Sequence, residues 1–407
     1  MKDNWKIVAI GAGVFILLVG AVWFFFFHST NSIQNPSASS GFGIGDNRTV
    51  TVPLVSGSDT ANGTITTSQQ TQQKIFKVAD GPVTGATFVQ TSNPTTTIAR
   101  YVLQQNGHVF DLTLDNAGTV PRAVSNTTIP GTVTATWTEN GMGVVLQYLD
   151  GAIIKSVHLG FPATTSQAVH IQFLPDNSES IAASPDGKNI AYFQPTSAGV
   201  DGYVAKPDGT NSKKLFSLPL SQVLLSWPAQ STMLAQTKSA AGYPGIAFSI
   251  SASSGAVSTL LYAAGMTATA DPAFNQIVYQ TTDQTGGGAS TYAHNIKTGK
   301  DSELSFDPIP EKCIWSSAAT STLYCATPLQ HLPANYLDLW HQGTASLSDA
   351  LLEFNVTSNN SSIITIPGGT DGGVVSDIAQ LAVSPDGHYL LFVTKGDRSL
   401  WAVRLTQ

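Results

Sequence analysis

The chain has 407 residues, 42% of them hydrophobic, enough for one large domain or two ordinary ones with a full core. Only 11% are charged, against about 25% in an average soluble domain, so solubility falls to Ser, Thr, Asn and Gln. A formal net charge of −7 with no basic cluster argues against a nucleic-acid partner and against a polybasic patch for anionic lipid.

In chain order, the first feature after a six-residue stub (1–6) is an apolar run at 7–27, IVAIGAGVFILLVGAVWFFFF, 21 residues without a charged group, Asn, Gln, Ser, Thr or Pro. At about 1.5 Å per residue a helix of this length spans roughly 31 Å, matching a hydrocarbon core of about 30 Å. A cleaved signal peptide is the alternative. Its apolar region is shorter, about 7–15 residues, and ends in small residues. Here the run ends in four Phe and a His. Lys2 and Lys6 precede the run, and the next Lys or Arg is Arg48. The positive-inside rule therefore predicts a single-pass anchor with a cytoplasmic N-terminus and an extracytoplasmic remainder.

Residues 28–73 are rich in Ser, Thr, Asn, Gln and Gly and poor in large apolar side chains. Such a segment buries too little surface to offset its ordering entropy, which predicts a disordered tether.

From residue 74 onward short β-branched and aromatic runs alternate with Gly, Pro, Asn and Asp turns. ASPDGKNIAYF at Ala183–Phe193 and VSPDGHYLLFV at Val383–Val393 are near-copies, and weaker copies lie between and before them. The first apolar residue after each turn is Ile98, Val144, Ile190, Met233, Ile277, Leu323 and Leu390, at steps of 46, 46, 43, 44, 46 and 67. A period of about 40–45 residues with four strands per unit is a propeller blade. The fold class predicted is all-β, a seven-bladed β-propeller over 74–407, with six or eight blades as the alternative counts. The long last step places an insertion at 328–349 in blade 6.

The last unit has a third strand, SLWAVRL at Ser399–Leu405, and no fourth. The segment QKIFKVAD at Gln73–Asp80 reads as a fourth strand ahead of the first unit. An open ring leaves two unpaired edges. Lys74–Val78 is therefore expected to pair with Ser399–Leu405 and close the last blade.

This repeated S-P-D-G-x-x-apolar-apolar-aromatic unit resembles the TolB-type, WD40-like propeller repeats of bacterial envelope proteins, over roughly 74–405. The motif is intact at Ser184–Gly187 and Ser384–Gly387; Asp271–Phe274 keeps the Pro and loses the Asp-Gly. The resemblance implies an extracytoplasmic propeller that binds protein. TolB proteins also carry an N-terminal α/β domain for which this chain has no segment, so their specific partners do not carry over.

Candidate chemistry is sparse. Pro185, Asp186 and Gly187, like Pro385, Asp386 and Gly387, read as turn residues: Pro presets φ, Asp accepts backbone hydrogen bonds and Gly supplies positive φ. A hairpin centred on Ala319 sets Cys313 opposite Cys325, within disulfide range, with two buried free thiols as the alternative. The insertion is the one departure from the repeat. Its Tyr336, Asp338, Trp340 and His341 are candidate binding-loop residues, or else they pack over the propeller face. No G-x-S-x-G, phosphate-binding loop, dinucleotide fingerprint or metal-ligand spacing occurs, and no cofactor is expected.

The function expected is a membrane-tethered binding or scaffold module of the cell envelope with a protein partner. A propeller that binds carbohydrate or another small ligand in its channel is the alternative, favoured by a channel lined with Asp, Glu, Arg and Trp. An enzyme with its site on blade loops ranks third.

Overall fold

The computed structural model describes residues 73–89, 96–115, 119–162 and 168–405. The stub, the expected anchor at 7–27 and the tether up to residue 72 lie outside the described residues. Among the described residues, no helix is long and apolar enough to cross a membrane.

The described chain begins with β1 (Ile75–Ala79) and then builds four-stranded antiparallel sheets in strict succession. Blade 1 is β2 (Val83–Val89), β3 (Ile98–Leu103), β4 (Val109–Thr113) and β5 (Arg122–Ser125). Blade 2 is β6 (Thr132–Thr138), β7 (Gly143–Asp150), β8 (Ile153–Gly160) and β9 (His170–Phe173). Blade 3 is β10 (Glu179–Ala183), β11 (Ile190–Thr196), β12 (Gly199–Ala205) and β13 (Lys213–Leu218). Blade 4 is β14 (Val223–Ala229), β15 (Thr232–Thr237), β16 (Pro244–Ser251) and β17 (Val257–Ala264). Blade 5 is β18 (Thr267–Ala270), β19 (Gln276–Thr281), β20 (Ser290–Asn295) and β21 (Lys300–Glu303). Blade 6 is β22 (Cys313–Trp315), β23 (Thr322–Pro328), β24 (Asp349–Asn355) and β25 (Asn360–Thr365). Blade 7 holds β26 (Ile378–Val383), β27 (Tyr389–Thr394) and β28 (Leu400–Arg404), and its fourth strand is β1. Ile75 pairs with Val403, Phe76 with Ala402 and Lys77 with Trp401, so the first described strand closes the ring. The fold is all-β, a seven-bladed propeller.

Burial explains the pattern. Val144, Ile190, Met233, Ile277, Leu323 and Leu390, all at the start of a blade's second strand, are fully buried; in blade 1 the buried run begins at Ala99, one residue after Ile98. A second strand has a neighbouring blade on each side, so it tolerates no polar face; β27 is buried along its whole length. The outermost strands β9 and β21 are exposed throughout. Each junction between successive blades, including blade 7 with blade 1, has its own apolar cluster. The smallest, at blades 2 and 3, is Val145, Leu174, Ile190, Tyr192 and Ala205.

The repeat turns join each blade's first two strands. Ser184 Oγ donates to Asp186 Oδ1 at 2.7 Å, Asp186 Oδ1 accepts from Lys188 N at 3.1 Å, and Gly187 sits at φ +66°. Ser384, Asp386, His388 and Gly387 repeat this in blade 7. In blade 5, Asp271 Oδ1 accepts from both Asn275 N and Gln276 N, at 2.7 and 2.8 Å. One carboxylate thus does the work of the Ser and the Asp, and Phe274 takes the glycine's place at φ +54°.

Antiparallel strands put these turns on one face of the disc. The opposite face carries the connections from second to third strand and from blade to blade. That face bears the insertion.

Candidate functional site

The chain leaves blade 6 after Pro328 and returns at Asp349, and these two residues are register partners. The insertion is therefore a loop closed at its base by β23 and β24. Within it, α1 (Tyr336–His341) is too short to be stable by itself. It is held by burying Tyr336, Leu337 and Trp340, which share one face, in a cluster with Ile309 and Leu347. The insertion also docks on neighbouring blades. Asn335 N donates to Gly286 O at 2.9 Å, Tyr336 Oη donates to Gln280 Oε1, and Asp338 accepts from Ala241 N at 3.1 Å. Burial pushes the Tyr336 hydroxyl far above its ordinary pKa, so it stays a donor.

Beneath α1 lies a buried ion network. Lys312 Nζ is 2.6 Å from Asp349 Oδ2 and 2.8 Å from Asp377 Oδ1, with all three side chains at most 1% exposed. Asp377 also accepts from Trp340 Nε1, at 2.9 and 3.0 Å, and from Leu347 N at 3.0 Å. Asp349 Oδ2 accepts from Ile378 N at 2.7 Å. Burial raises the Asp349 pKa against the opposing pull of Lys312. The Lys395 ammonium stands 4.2 Å from the centre of the Trp340 ring and donates to the Trp340 carbonyl. Lys312 pairs with both carboxylates, as burial requires, while Asp349 Oδ1 is buried without a partner among the described residues. The network ties the insertion to the 3-10 turn Pro310–Lys312, to β24 and to the segment entering β26.

The structure thus gathers the four insertion residues on one short helix and turns them to different tasks. Tyr336 and Trp340 are buried against the propeller. Asp338 holds the loop before β16. His341 Nε2 lies 2.7 Å from Glu311 Oε2 and is part exposed. Glu311 also borders a cavity of about 320 Å³ in the central channel. Gly85, Ala86, Ala135 and Ala382 line it with Gln380, Leu381 and Phe392, and main-chain groups add to the polar surface. Exposed apolar side chains around the insertion are Leu339 of α1, Leu329 at its base and Tyr243 in the loop that Asp338 holds, Tyr243 being 71% exposed; the same face also bears Leu149, Ile153, Val374 and Val375.

Cys313 and Cys325 form a disulfide between register partners of β22 and β23. The Pro185–Gly187 and Pro385–Gly387 turns belong to blades 3 and 7 and lie on the face away from the insertion, so they do not form one site. Lys312, Asp377, Lys395 and Glu311 escaped sequence reasoning. The available signal was Lys312 itself, a lone lysine entering an apolar strand in a chain with 19 Lys and Arg in all. Among the described residues no three His, Cys, Asp or Glu side chains are placed to hold a metal ion.

No protein-family model matches the chain, and no curated protein matches it. Solved structures do. An oligogalacturonate lyase from Vibrio parahaemolyticus matches with TM-score 0.53 and 10% identity, over 83% of this chain and 95% of that one. An oligogalacturonate lyase in complex with manganese matches with TM-score 0.50 and 12% identity, over 81% and 99%. TolB from Acinetobacter baumannii matches with TM-score 0.41 and 12% identity, over 68% of this chain; the chain spans 62% of that protein's length. The two lyase likenesses show a shared fold, the β-propeller, at identities that carry no activity with them.

Proposed function

We propose that the chain is a membrane-tethered, extracytoplasmic propeller of the cell envelope that binds a protein partner through the face bearing the insertion. The carrying observation is the pinning of that insertion. A network of buried Lys312, Asp349, Asp377 and Trp340 with part-buried Lys395 fixes a short helix over the disc, leaving Leu339 and Tyr243 exposed on adjoining elements. A preformed surface loses little entropy on association. The apolar run at 7–27 and its flanking lysines support the tether, and the Cys313–Cys325 disulfide accords with an oxidising compartment. The test is site-specific photocrosslinking of the full chain in its native membranes. A probe at Leu339 or Tyr243 should give one discrete protein adduct. A probe at Val257, exposed beside the β16–β17 turn on the opposite face, should not. Equal adducts at all three positions, or none at the first two, overturn the reading.

The alternative of a carbohydrate or small ligand in the channel has the lyase fold on its side. Against it, the cavity bordered by blades 6, 7, 1 and 2 offers a sugar charged or amide side chains only from Glu311 and Gln380. A lyase activity draws on the fold likeness alone.

A further inference from the structure

The face opposite the insertion holds a second cavity, of about 390 Å³, between blades 2 and 3, where the apolar junction is smallest. Its walls come from the turn after β6 (Glu139), the ends of β8 and β9 (His158, His170), the Ser-Pro-Asp-Gly turn of blade 3 (Lys188) and the turn after β12 (Lys206, Asp208).

Gly160 lines the cavity, directly opposite its register partner Gly143. A Cβ on Gly143 would lie 2.5 Å from Thr138 Oγ1, 2.8 Å from His158 Nε2 and 2.9 Å from Glu139 Oε2. Only glycine leaves these three polar side chains where they are. Two of the three are unpartnered. Among the described residues, His158, 4% exposed, has no hydrogen bond at either ring nitrogen, and Thr138 Oγ1 is buried without one. Native proteins seldom leave buried polar atoms unmatched, and such atoms mark places where something else binds. Burial brings the His158 pKa down to about 4, so at neutral pH the ring offers one N–H and one lone pair.

The rim supplies charge. Lys188 and Lys206 are exposed; Lys206 has no ion pair among the described residues, and Lys188 reaches only Asp186, at 3.9 Å. Asp208 Oδ1 accepts from Thr210 N and Oγ1 at 3.0 and 2.7 Å. The lining thus holds the ammonium groups of Lys188 and Lys206, the carboxylates of Glu139 and Asp208, and the imidazoles of His158 and His170.

We infer that this cavity binds a small hydroxylated anion, its carboxylate or phosphate between Lys188 and Lys206 and its hydroxyls on Glu139 and His158. The two ammonium groups match an oxyanion, and the mixed donors and acceptors of the lining match hydroxyls. The inference stands on a different face and different residues from the protein-binding reading, so either can fail alone.

The experiment is calorimetric titration of the full chain with glucuronate, glucose 6-phosphate and inorganic phosphate, with histidine-ring NMR in parallel. Saturable binding of a hydroxylated anion, at least tenfold tighter than phosphate and with a shift of the His158 ring, is expected. The tighter of the two sugars identifies the carboxylate or the phosphate as the recognised group. Lys188→Ala with Lys206→Ala should weaken binding at least tenfold while leaving the melting temperature in place, because both side chains are exposed. Gly143→Ala should weaken binding by forcing His158 and Glu139 out of place, since its Cβ would lie 2.8 and 2.9 Å from them. No saturable binding, binding as tight to bare phosphate, or binding indifferent to both lysines overturns the inference.

Discussion

The ammonium of Lys312 lies 2.6 Å from Asp349 Oδ2, and neither side chain is exposed to solvent. Asp377 completes the group at 2.8 Å. Lys312→Met removes the only cation that touches both carboxylates and leaves two negative charges buried together. The expected cost is about 3–5 kcal/mol of stability, read by urea denaturation. The deficit should be smaller at pH 5 than at pH 8. Burial already raises the Asp349 pKa and Lys312 opposes it, so without Lys312 this carboxyl gains a proton more readily, and the proton removes uncompensated charge. Glu311→Gln, which breaks the part-exposed pair with His341, should cost less than about 1 kcal/mol. Equal costs for the two variants would falsify the assignment of the network as the lock on the insertion.

The two best-kept repeat turns should respond differently to the same change. Gly187 and Gly387 both have positive φ, +66° and +74°, so alanine costs roughly 1–2 kcal/mol at either from backbone strain. At Gly187 the new Cβ would also lie 2.2 Å from Glu139 N, in the turn of the adjoining blade. At Gly387 the nearest atom is Ala318 Cβ at 3.6 Å, an ordinary contact. Thermal unfolding should therefore show Gly187→Ala as clearly the more destabilised. Equal melting temperatures would mean that the blade 2 turn moves aside freely.

Blade number was legible because the second strand of every blade is buried on both sides and so reads as a near-continuous apolar run. Ile190–Phe193 and Tyr389–Val393 are examples. The outermost strands gave no such signal. Lys300–Glu303 is KDSE, exposed at every position, and only its pairing to β20 makes it a strand. Drift at blade 5 hid a conserved task, since Asp271 replaces a Ser and an Asp with one side chain. The candidate sites were less legible for a different reason. Lys312 and Asp377 are 65 residues apart and meet only through the ring. His158 is one polar residue in the strand IIKSVHLG, and nothing local says that both its nitrogens lack partners. Tyr336 and Trp340 were visible as aromatic residues in an insertion; their inward direction is set by Gln280 and Asp377, on other segments.

The disulfide closes a short segment, Cys313 to Cys325, and staples the three-residue innermost strand of blade 6 to its neighbour. In the chain-entropy view a loop of this size is worth about 2–3 kcal/mol. Replacing both cysteines with alanine should lower stability by that amount in urea denaturation. Adding reductant to the parent chain should reproduce the loss, and adding it to the double variant should change nothing. A further loss in the double variant on reduction would show that the stapling account is wrong, because no other cysteine is present.

His158 makes a signed prediction about pH. Burial is the main cause of its low pKa, about 4 against an ordinary 6.5; the neighbouring His170 adds to the effect and Asp208 opposes it. In the unfolded chain the ring takes up a proton near pH 6.5, while in the folded chain it waits until about pH 4. The contribution is therefore fully present above pH 6.5 and is lost as pH falls toward 4, on the order of 3 kcal/mol across that window. Other groups titrate there too, so the quantity to measure is the difference between the parent chain and His158→Gln. That difference should shift in favour of the variant as pH drops from 7 to 4, and stay flat above pH 7. Ring NMR gives an independent reading, with a folded-state midpoint near 4. A midpoint near 6.5 would mean that water already reaches the ring nitrogens, and the blade 2–3 cavity would then lose its claim to be an unfilled site.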